Sequence, residues 1–367
     1  MDTRELFRIL VKERASDLII KSNACPAMRV QGRIKFISES KVPEAFARTL
    51  CDEVLPARLK ERFERTGEAD ASYEVEEVGR FRANIFRQRG RLCLVFRHVL
   101  DHVPSLEQLN LPVKQIQELA SLQRGLVLVT GTTGSGKSTT LAAMAEYMNH
   151  QFQRHIVTIE DPIEYVLVDR KCMINQREIG FDTMTYDTAL RHVVRQTPDV
   201  IFLGEIRDTA TMSAALSAAE TGHLVLSTLH TVNGVQTVER ILSFFPPHQH
   251  QQVRLQLSLT LEGVLSQRLL PRKNDQTRVP AVEILVATPT IRDLLFEGKT
   301  RELHKAIYEG SHYYGTQSFN QSLRMLFKQG LISYEDAMTA ADNPDELKLE
   351  LRGISKGAAT ADFDFKY

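Results

Sequence analysis

The chain has 367 residues, 43% of them hydrophobic and 25% charged, which is the balance of a soluble globular protein of about two domains. Lysine plus arginine equals aspartate plus glutamate at 46 each, so no global charge draws it to nucleic acid or to an anionic membrane surface. No apolar run approaches the roughly 20 residues that span a bilayer, and Met1–Leu6 lacks the apolar core of a signal peptide. A cytoplasmic protein without direct membrane insertion is expected. Cys25, Cys51, Cys93 and Cys172 stand apart with no C-x-x-C pair, which argues against a zinc ribbon and for buried, reduced thiols.

In chain order, residues 5–14 form a short amphipathic helix with Leu6, Ile9 and Leu10 on one face. Strand-like pieces follow at 17–20 and 28–30, then a helical, charge-rich region at 45–65. Three alternating strands come next, at 71–75, 80–86 and 92–97. Residues 1–101 thus read as a small α+β domain. Between Arg80 and Val99 lie six arginines (Arg80, Arg82, Arg87, Arg89, Arg91, Arg97) and no acid. Period-2 geometry turns Phe81, Ala83 and Ile85 to one face and Arg80, Arg82 and Asn84 to the other. Either this strip is a solvated face paired with acids such as Glu74, Glu76 and Glu77, or its guanidinium forks meet phosphate.

Residues 102–112, with Pro104 and Pro112 at the flanks of a polar stretch, read as a linker. Beyond it, from 113 to 345, strands at 126–129, 155–159, 200–203 and 224–228 alternate with helices at 138–148, 185–196, 210–219, 235–242 and 249–261. That alternation predicts an α/β domain with a mostly parallel sheet. Residues 346–367 are expected to be a tail, flexible from Ser355 onward.

Within the α/β domain, Gly131-Thr132-Thr133-Gly134-Ser135-Gly136-Lys137-Ser138-Thr139 fits the phosphate-loop pattern, with a buried strand before it and a helix after it. Glycine lets the backbone wrap closely round an anion and aim successive N–H groups at it. The helix N-terminus behind adds partial positive charge. Lys137 would reach the β- and γ-phosphate oxygens of ATP, and the Ser138 hydroxyl would ligate Mg²⁺. The remaining polar motifs each follow a strand directly, where ligands bind in such sheets. They are Glu160 to Glu164, Gly204 to Asp208, and His230-Thr231. Glu205 ends an apolar strand, where an acid belongs that acts on Mg²⁺ through water or orients the attacking water; Gly204 precedes it where many P-loop enzymes place an aspartate. Glu160 and Glu164 are candidates for base or metal partner. His230 is placed to donate a hydrogen bond to the γ-phosphate, and His223, at the other end of its strand, to make a structural or interface contact. Arg207 and Asp208 either pair with each other or bridge subunits.

These motifs together resemble the secretion ATPase superfamily, and within it the type IV pilus retraction ATPases, the PilT/PilU family. The resemblance rests on the phosphate loop, on Thr158–Tyr165, on Gly204–Asp208, and on Thr221–Leu224 with Thr228–Thr231, and it spans nearly the whole chain. It implies a PAS-like N-terminal domain joined to a RecA-like P-loop ATPase domain, assembled as a homohexameric ring at the cytoplasmic face of the inner membrane. It further implies partnership with a membrane platform protein of the pilus and with a paralogous retraction ATPase. In that family arginines of the N-terminal domain approach the nucleotide, and Arg82 and Arg97 match them best. The tetracysteine zinc motif and extra N-terminal region of the pilus-assembly and type II secretion relatives are not seen. Pro289–Leu294 and Gly315–Leu323 are similar to segments of the retraction group, and Ala341 to Leu351 is more like its accessory, PilU-type branch. Three functions compete on these grounds: a pilus-retracting motor, accessory or principal; a RecA-like nucleic-acid motor, disfavoured by charge balance and the absence of a basic-aromatic stretch; and a nucleotide-held binding module, disfavoured by the intact Lys137, Glu164 and Glu205.

Overall fold

Among the described residues the chain falls into two units. In the computed structural model, which describes residues 2–13, 15–30, 32–99, 102–274 and 277–352, one unit comprises Met1–His102 with Asp161–Val166 and Glu178–Met184. The other comprises Val103–Glu160, Leu167–Arg177 and the chain from Thr185 onward.

The first unit begins with α1 (Thr3–Lys12), started by Asp2, whose side chain accepts the Arg4 N–H. Its buried residues are Leu6, Phe7 and Leu10, while Ile9 is only partly covered. Phe7 takes the central place, its ring 4.5 Å from that of Phe81 and 4.8 Å, edge-on, from that of Phe96. The strands β1 (Asp17–Lys21), β2 (Ala27–Val30) and β3 (Arg33–Phe36) follow. The last was missed although Arg33-Ile34-Lys35-Phe36 alternates polar with apolar residues; it is only four residues long and all four are exposed. The helical region at 45–65 is two helices, α2 (Glu44–Val54) and α3 (Ala57–Thr66). Pro56 separates them by forcing Leu55 into extended backbone. With β4 (Glu68–Val75), β5 (Gly79–Gln88) and β6 (Arg91–Val99) the strands make one antiparallel sheet in the order β3-β2-β1-β6-β5-β4. Phe81, Ala83 and Ile85 are fully buried, as period-2 geometry requires.

The second unit is α/β. In chain order it contains α4 (Val113–Ser121), β7 (Gly125–Thr130), α5 (Lys137–Gln151), β8 (His155–Glu160), β9 (Met173–Glu178), α6 (Tyr186–Val193), β10 (Val200–Leu203), α7 (Thr209–Glu220), β11 (Leu224–Leu229), α8 (Gly234–Ser243) and α9 (His250–Thr260). Then come β12 (Leu261–Pro271), β13 (Arg278–Val286), α10 (Pro289–Glu297), α11 (Leu303–Glu309), α12 (Ser311–Tyr314), α13 (Phe319–Lys328), α14 (Tyr334–Ala340) and α15 (Pro344–Leu351). The sheet order is β13-β12-β7-β11-β10-β8-β9. Neighbours from β12 through β8 are parallel, and β13 closes the edge antiparallel to β12. Every residue of β7, β10 and β11 is buried, because helices cover both faces of these central strands.

Three strands of this sheet were missed. β12 starts at the residue that caps α9, so no turn residue announces it. β13 is a buried run from Val279 to Leu285 whose apolar sequence is interrupted by Glu283, and β9 is an edge strand with polar residues. α15 crosses the expected boundary at 345, and its Leu347 is fully buried in a small core with Phe319 and Leu323. The tail expected from Ser355 lies outside the described residues. Cys51, Cys93 and Cys172 are buried free thiols, pushed up in pKa by that burial, whereas Cys25 is partly exposed. Among the described residues no helix is long and apolar enough to cross a membrane.

Candidate nucleotide-binding site

The parallel order of β7, β11, β10 and β8 brings the loops at their carboxyl ends to one edge of the second unit. β7 delivers the loop at 131–136, and α5 begins at Lys137 directly behind it. Gly131 has φ +146°, a conformation that side chains disfavour. A Cβ there would collide with Ser135 Oγ and stand 2.5 Å from the Gln267 carbonyl oxygen. Lys137 is buried and curls over the loop, donating to the carbonyl oxygens of Gly131 at 2.9 Å and Thr132 at 3.0 Å. Burial pulls the pKa of its ammonium down, and the Glu205 carboxylate partly offsets this.

The Ser135 hydroxyl is buried without a hydrogen-bond partner, although its residue belongs to the loop that a phosphate would occupy. An orphaned donor beside a glycine cradle, a lysine and a helix N-terminus is the donor set of a phosphate site. We expect Gly131→Ala to weaken ADP binding at least about 100-fold and to cost about 1–3 kcal/mol of stability. ADP titration and thermal melting check this, and unchanged ADP affinity would show that the loop tolerates a side chain there.

β10 ends at Leu203, and Gly204 donates its N–H to the Ile159 carbonyl at 2.8 Å. A side chain at 204 would stand 3.1 Å from Tyr186 Oη and 3.4 Å from Glu160 Cα, so the place where many P-loop enzymes carry an aspartate is filled by its neighbours. Glu205 follows. Its carboxylate is held on both sides, by Arg207 at 2.8 Å and by His230 Nε2 at 3.2 Å. Asp208 instead caps α7, accepting the Thr211 N–H at 2.8 Å. A cavity of about 540 Å³ opens beside this group, lined by Glu205, Arg207, His230, Thr231 and Gln236 among others. Glu160, at the end of β8, is buried and accepts hydrogen bonds from Thr158 Oγ1 at 2.6 Å and Gln176 Nε2 at 3.2 Å. His223 stands at the other end of β11, with Nδ1 3.0 Å from the Ala218 carbonyl oxygen.

For Mg²⁺ the site offers an exposed hydroxyl, Ser138, in the first turn of α5, and the half-open carboxylate of Glu205. One hydroxyl with an acid within reach through water suits an ion that keeps several waters and takes phosphate oxygens as ligands. The residues fit the group.

The sequence reading overlooked a second cavity, of about 270 Å³, lined in part by Ser135 and Gly136 of the loop. Gly136, Thr139, Leu109, Leu111 and Leu269 are among the residues that line it. Leu109 and Leu111 come from the stretch read as a linker; their apolar spacing was the available signal. An apolar slot beside a phosphate loop suits a nucleobase.

The other site candidates belong to the first unit. Arg82 and Arg97 are directly opposite each other in the β5–β6 ladder. Arg97 pairs with the buried Asp17 at 3.0 Å, and Arg29 reaches the same carboxylate at 3.5 Å. Arg82 lies 4.0 Å from Asp70, Arg80 pairs with Glu178 at 3.1 Å, and Arg87 with Glu64 at 2.6 Å. The strip therefore does meet acids, but not the Glu74, Glu76 and Glu77 suggested by sequence proximity. Glu164 is exposed.

A phosphate loop on a mostly parallel sheet, with an acid and a histidine at the neighbouring strand ends, defines a P-loop ATPase. The family described as type II/IV secretion system protein matches residues 81–328, and the chain belongs to that family, in its branch of type IV pilus retraction ATPases. It is 39% identical to the type IV pilus ATPase PilU of Pseudomonas aeruginosa, over 96% of this chain and 92% of that one. It is 41% identical to the type IV pilus retraction ATPase PilT of the same organism, over 94% and 99% of the two chains. Among solved structures, the pilus retraction motor PilT with bound ADP is 43% identical and superposes with a TM-score of 0.88, over 95% of this chain and 99% of that one.

Proposed function

We propose that this chain is one subunit of a homohexameric cytoplasmic ring that couples hydrolysis of Mg²⁺-ATP to retraction of type IV pili, and that it acts as an accessory to a principal retraction ATPase. The observation that carries the motor reading is the cluster at the carboxyl ends of the parallel strands. There Lys137 closes the phosphate loop, and the Glu205 carboxylate is held by His230 and Arg207. The loop from Gly131 to Thr139 binds the phosphates, and the slot at Leu109, Leu111 and Leu269 takes the base. Ser138 and, through water, Glu205 would hold Mg²⁺, which would supply neutralisation of phosphate charge. Glu205 orients the attacking water, and His230 donates toward the γ-phosphate. Glu164 serves as a further acid.

Arg82 and Arg97 form the charge clamp of the N-terminal domain, which we assign to residues 1–101, ahead of a linker at 102–112 and an ATPase domain at 113–345. Asp17 and Asp70 already offset the repulsion between these two opposed guanidinium groups, so the clamp requires phosphate oxygens to take them over from those acids. The accessory assignment rests on the resemblance of the stretch from Ala341 to Leu351. The ring docks on a membrane platform protein of the pilus.

Retraction of fluorescently labelled pili in cells lacking only this gene tests the assignment. We expect free pili to retract but to stall when held under load. Complete loss of retraction would make this the principal motor, and pili that never extend would reverse the direction of work.

A further inference from the structure

One carboxyl in the core of the second unit is not explained by nucleotide binding. Glu283, on β13, is 1% exposed. Its Oε1 accepts the backbone N–H of Gly234 at 2.7 Å. Gly234 is the first residue of α8, packed so closely that a Cβ would stand 3.1 Å from Leu285 Cδ1 and 3.4 Å from that same carboxylate oxygen. The turn around it is stapled to itself. Asn233 accepts the Gln236 N–H at 2.8 Å, Thr237 Oγ1 donates to the Asn233 carbonyl at 2.8 Å, and the Thr231 and Thr237 hydroxyls lie 2.7 Å apart. The residue before this turn is His230, whose Nε2 is 3.2 Å from Glu205. The turn is thus a rigid piece with His230 at one end and a single buried carboxyl tying its other end to the sheet.

An apolar side chain would sit in this core without the cost of burying a charge. What only a carboxyl supplies is a charge-assisted acceptor for an N–H at a helix N-terminus. We propose that Glu283 is a positioning residue for ATP hydrolysis, pinning the first turn of α8 to β13 and so holding the His230 imidazole against Glu205. This rests on the ATPase reading above and goes beyond it in assigning a role outside the nucleotide site.

The charges around Glu283 are few. Arg268 on β12 is paired with Asp342 at 2.5 Å, so its influence is largely spent there. Glu239 and Arg240 on α8, and Lys305 and Glu309 on α11, are exposed, and Arg324 on α13 turns toward Glu350 at 3.9 Å. Burial therefore dominates and pushes the carboxyl up to about 7, against the Gly234 N–H, which favours the ion. The ionised form is the stronger acceptor, so the anchor is firm above that value and weakens as pH falls through it.

The test uses the full chain, with ATP turnover followed across pH and ADP affinity measured separately. Glu283→Gln keeps the shape and an acceptor but carries no charge at any pH. We expect it to hold ADP as the wild type does, to lose about tenfold in kcat on the alkaline side, and to lack the wild-type rise in kcat near neutral pH. Groups common to both proteins cancel in that comparison. Glu283→Ala, which orphans the Gly234 N–H, should fall about 100-fold in kcat; if it does not fold, the glutamine variant decides alone. A glutamine variant with wild-type kcat and an unaltered pH profile overturns the proposal and leaves the ATPase reading standing. So does parallel loss of kcat and ADP affinity, which marks a merely structural residue. A wild-type chain that binds ADP but never hydrolyses ATP overturns both.

Discussion

Replacing Lys137 by alanine is expected to lower ATP turnover by about 10³-fold, roughly 4 kcal/mol of transition-state stabilisation. The lysine does two things, and the substitution separates them. Its ammonium ties the carbonyls of Gly131 and Thr132 together across the loop. On the proposed reading the same ammonium meets the β- and γ-phosphate oxygens of ATP, and its value rises as charge accumulates there. Because the loss falls mainly on the transition state, kcat should drop more than ADP affinity. The tie to two carbonyls contributes only a modest amount to stability, so the melting temperature should move by a few degrees at most. Burial holds the ammonium's pKa below its ordinary value. Polyphosphate favours the protonated form, so ATP affinity should decline as the solution is made alkaline, and this decline should vanish in the alanine variant. Turnover equal to wild type would remove the phosphate loop from the mechanism.

The second large effect is expected at Glu205→Gln, with kcat reduced by about 10²- to 10³-fold and ATP binding retained. The amide keeps the size of the carboxylate and can still meet Arg207 and His230, now 2.8 and 3.2 Å away. What it loses is the charge that, on the proposed reading, would orient the attacking water and attract Mg²⁺ through its hydration shell. A carboxylate beside the γ-phosphate also repels it, so ATP should bind the variant as tightly as wild type or more so. Single-turnover hydrolysis with ADP affinity as the control checks the split. Full activity would shift the hydrolytic role to Glu160 or Glu164. Of these, Glu160 is already engaged by Thr158 and Gln176.

The two substitutions probe the part of the site that was most legible. The phosphate loop could be read from residue types alone because its chemistry is local: glycine conformations, one lysine and a helix start, all within nine consecutive positions. The acid at Glu205 and the histidine at His230 were found by their place after apolar strands, and they meet because parallel strands bring their carboxyl ends to one edge. The partners of the arginine strip were not legible. Asp17, Asp70, Glu64 and Glu178 are brought to Arg97, Arg82, Arg87 and Arg80 by sheet register and by chain segments far away in sequence. Proximity along the chain pointed to the wrong acids.

The sequence by itself determined the α/β class, the antiparallel-strand character of the first unit, the nucleotide loop and the family. Each rests on short-range periodicity or on contiguous motifs, which act through backbone geometry common to all chains. Only the tertiary structure decided which polar groups are buried and against what. Glu283 is the one polar residue between Val279 and Val286 and carries no motif, and its meaning depends on Gly234 arriving 2.7 Å away from a different element. The linker leucines at 109 and 111 likewise acquire a role only when packing sets them beside Gly136 and Leu269. Such meetings are settled by the packing of whole elements, and no local pattern encodes them.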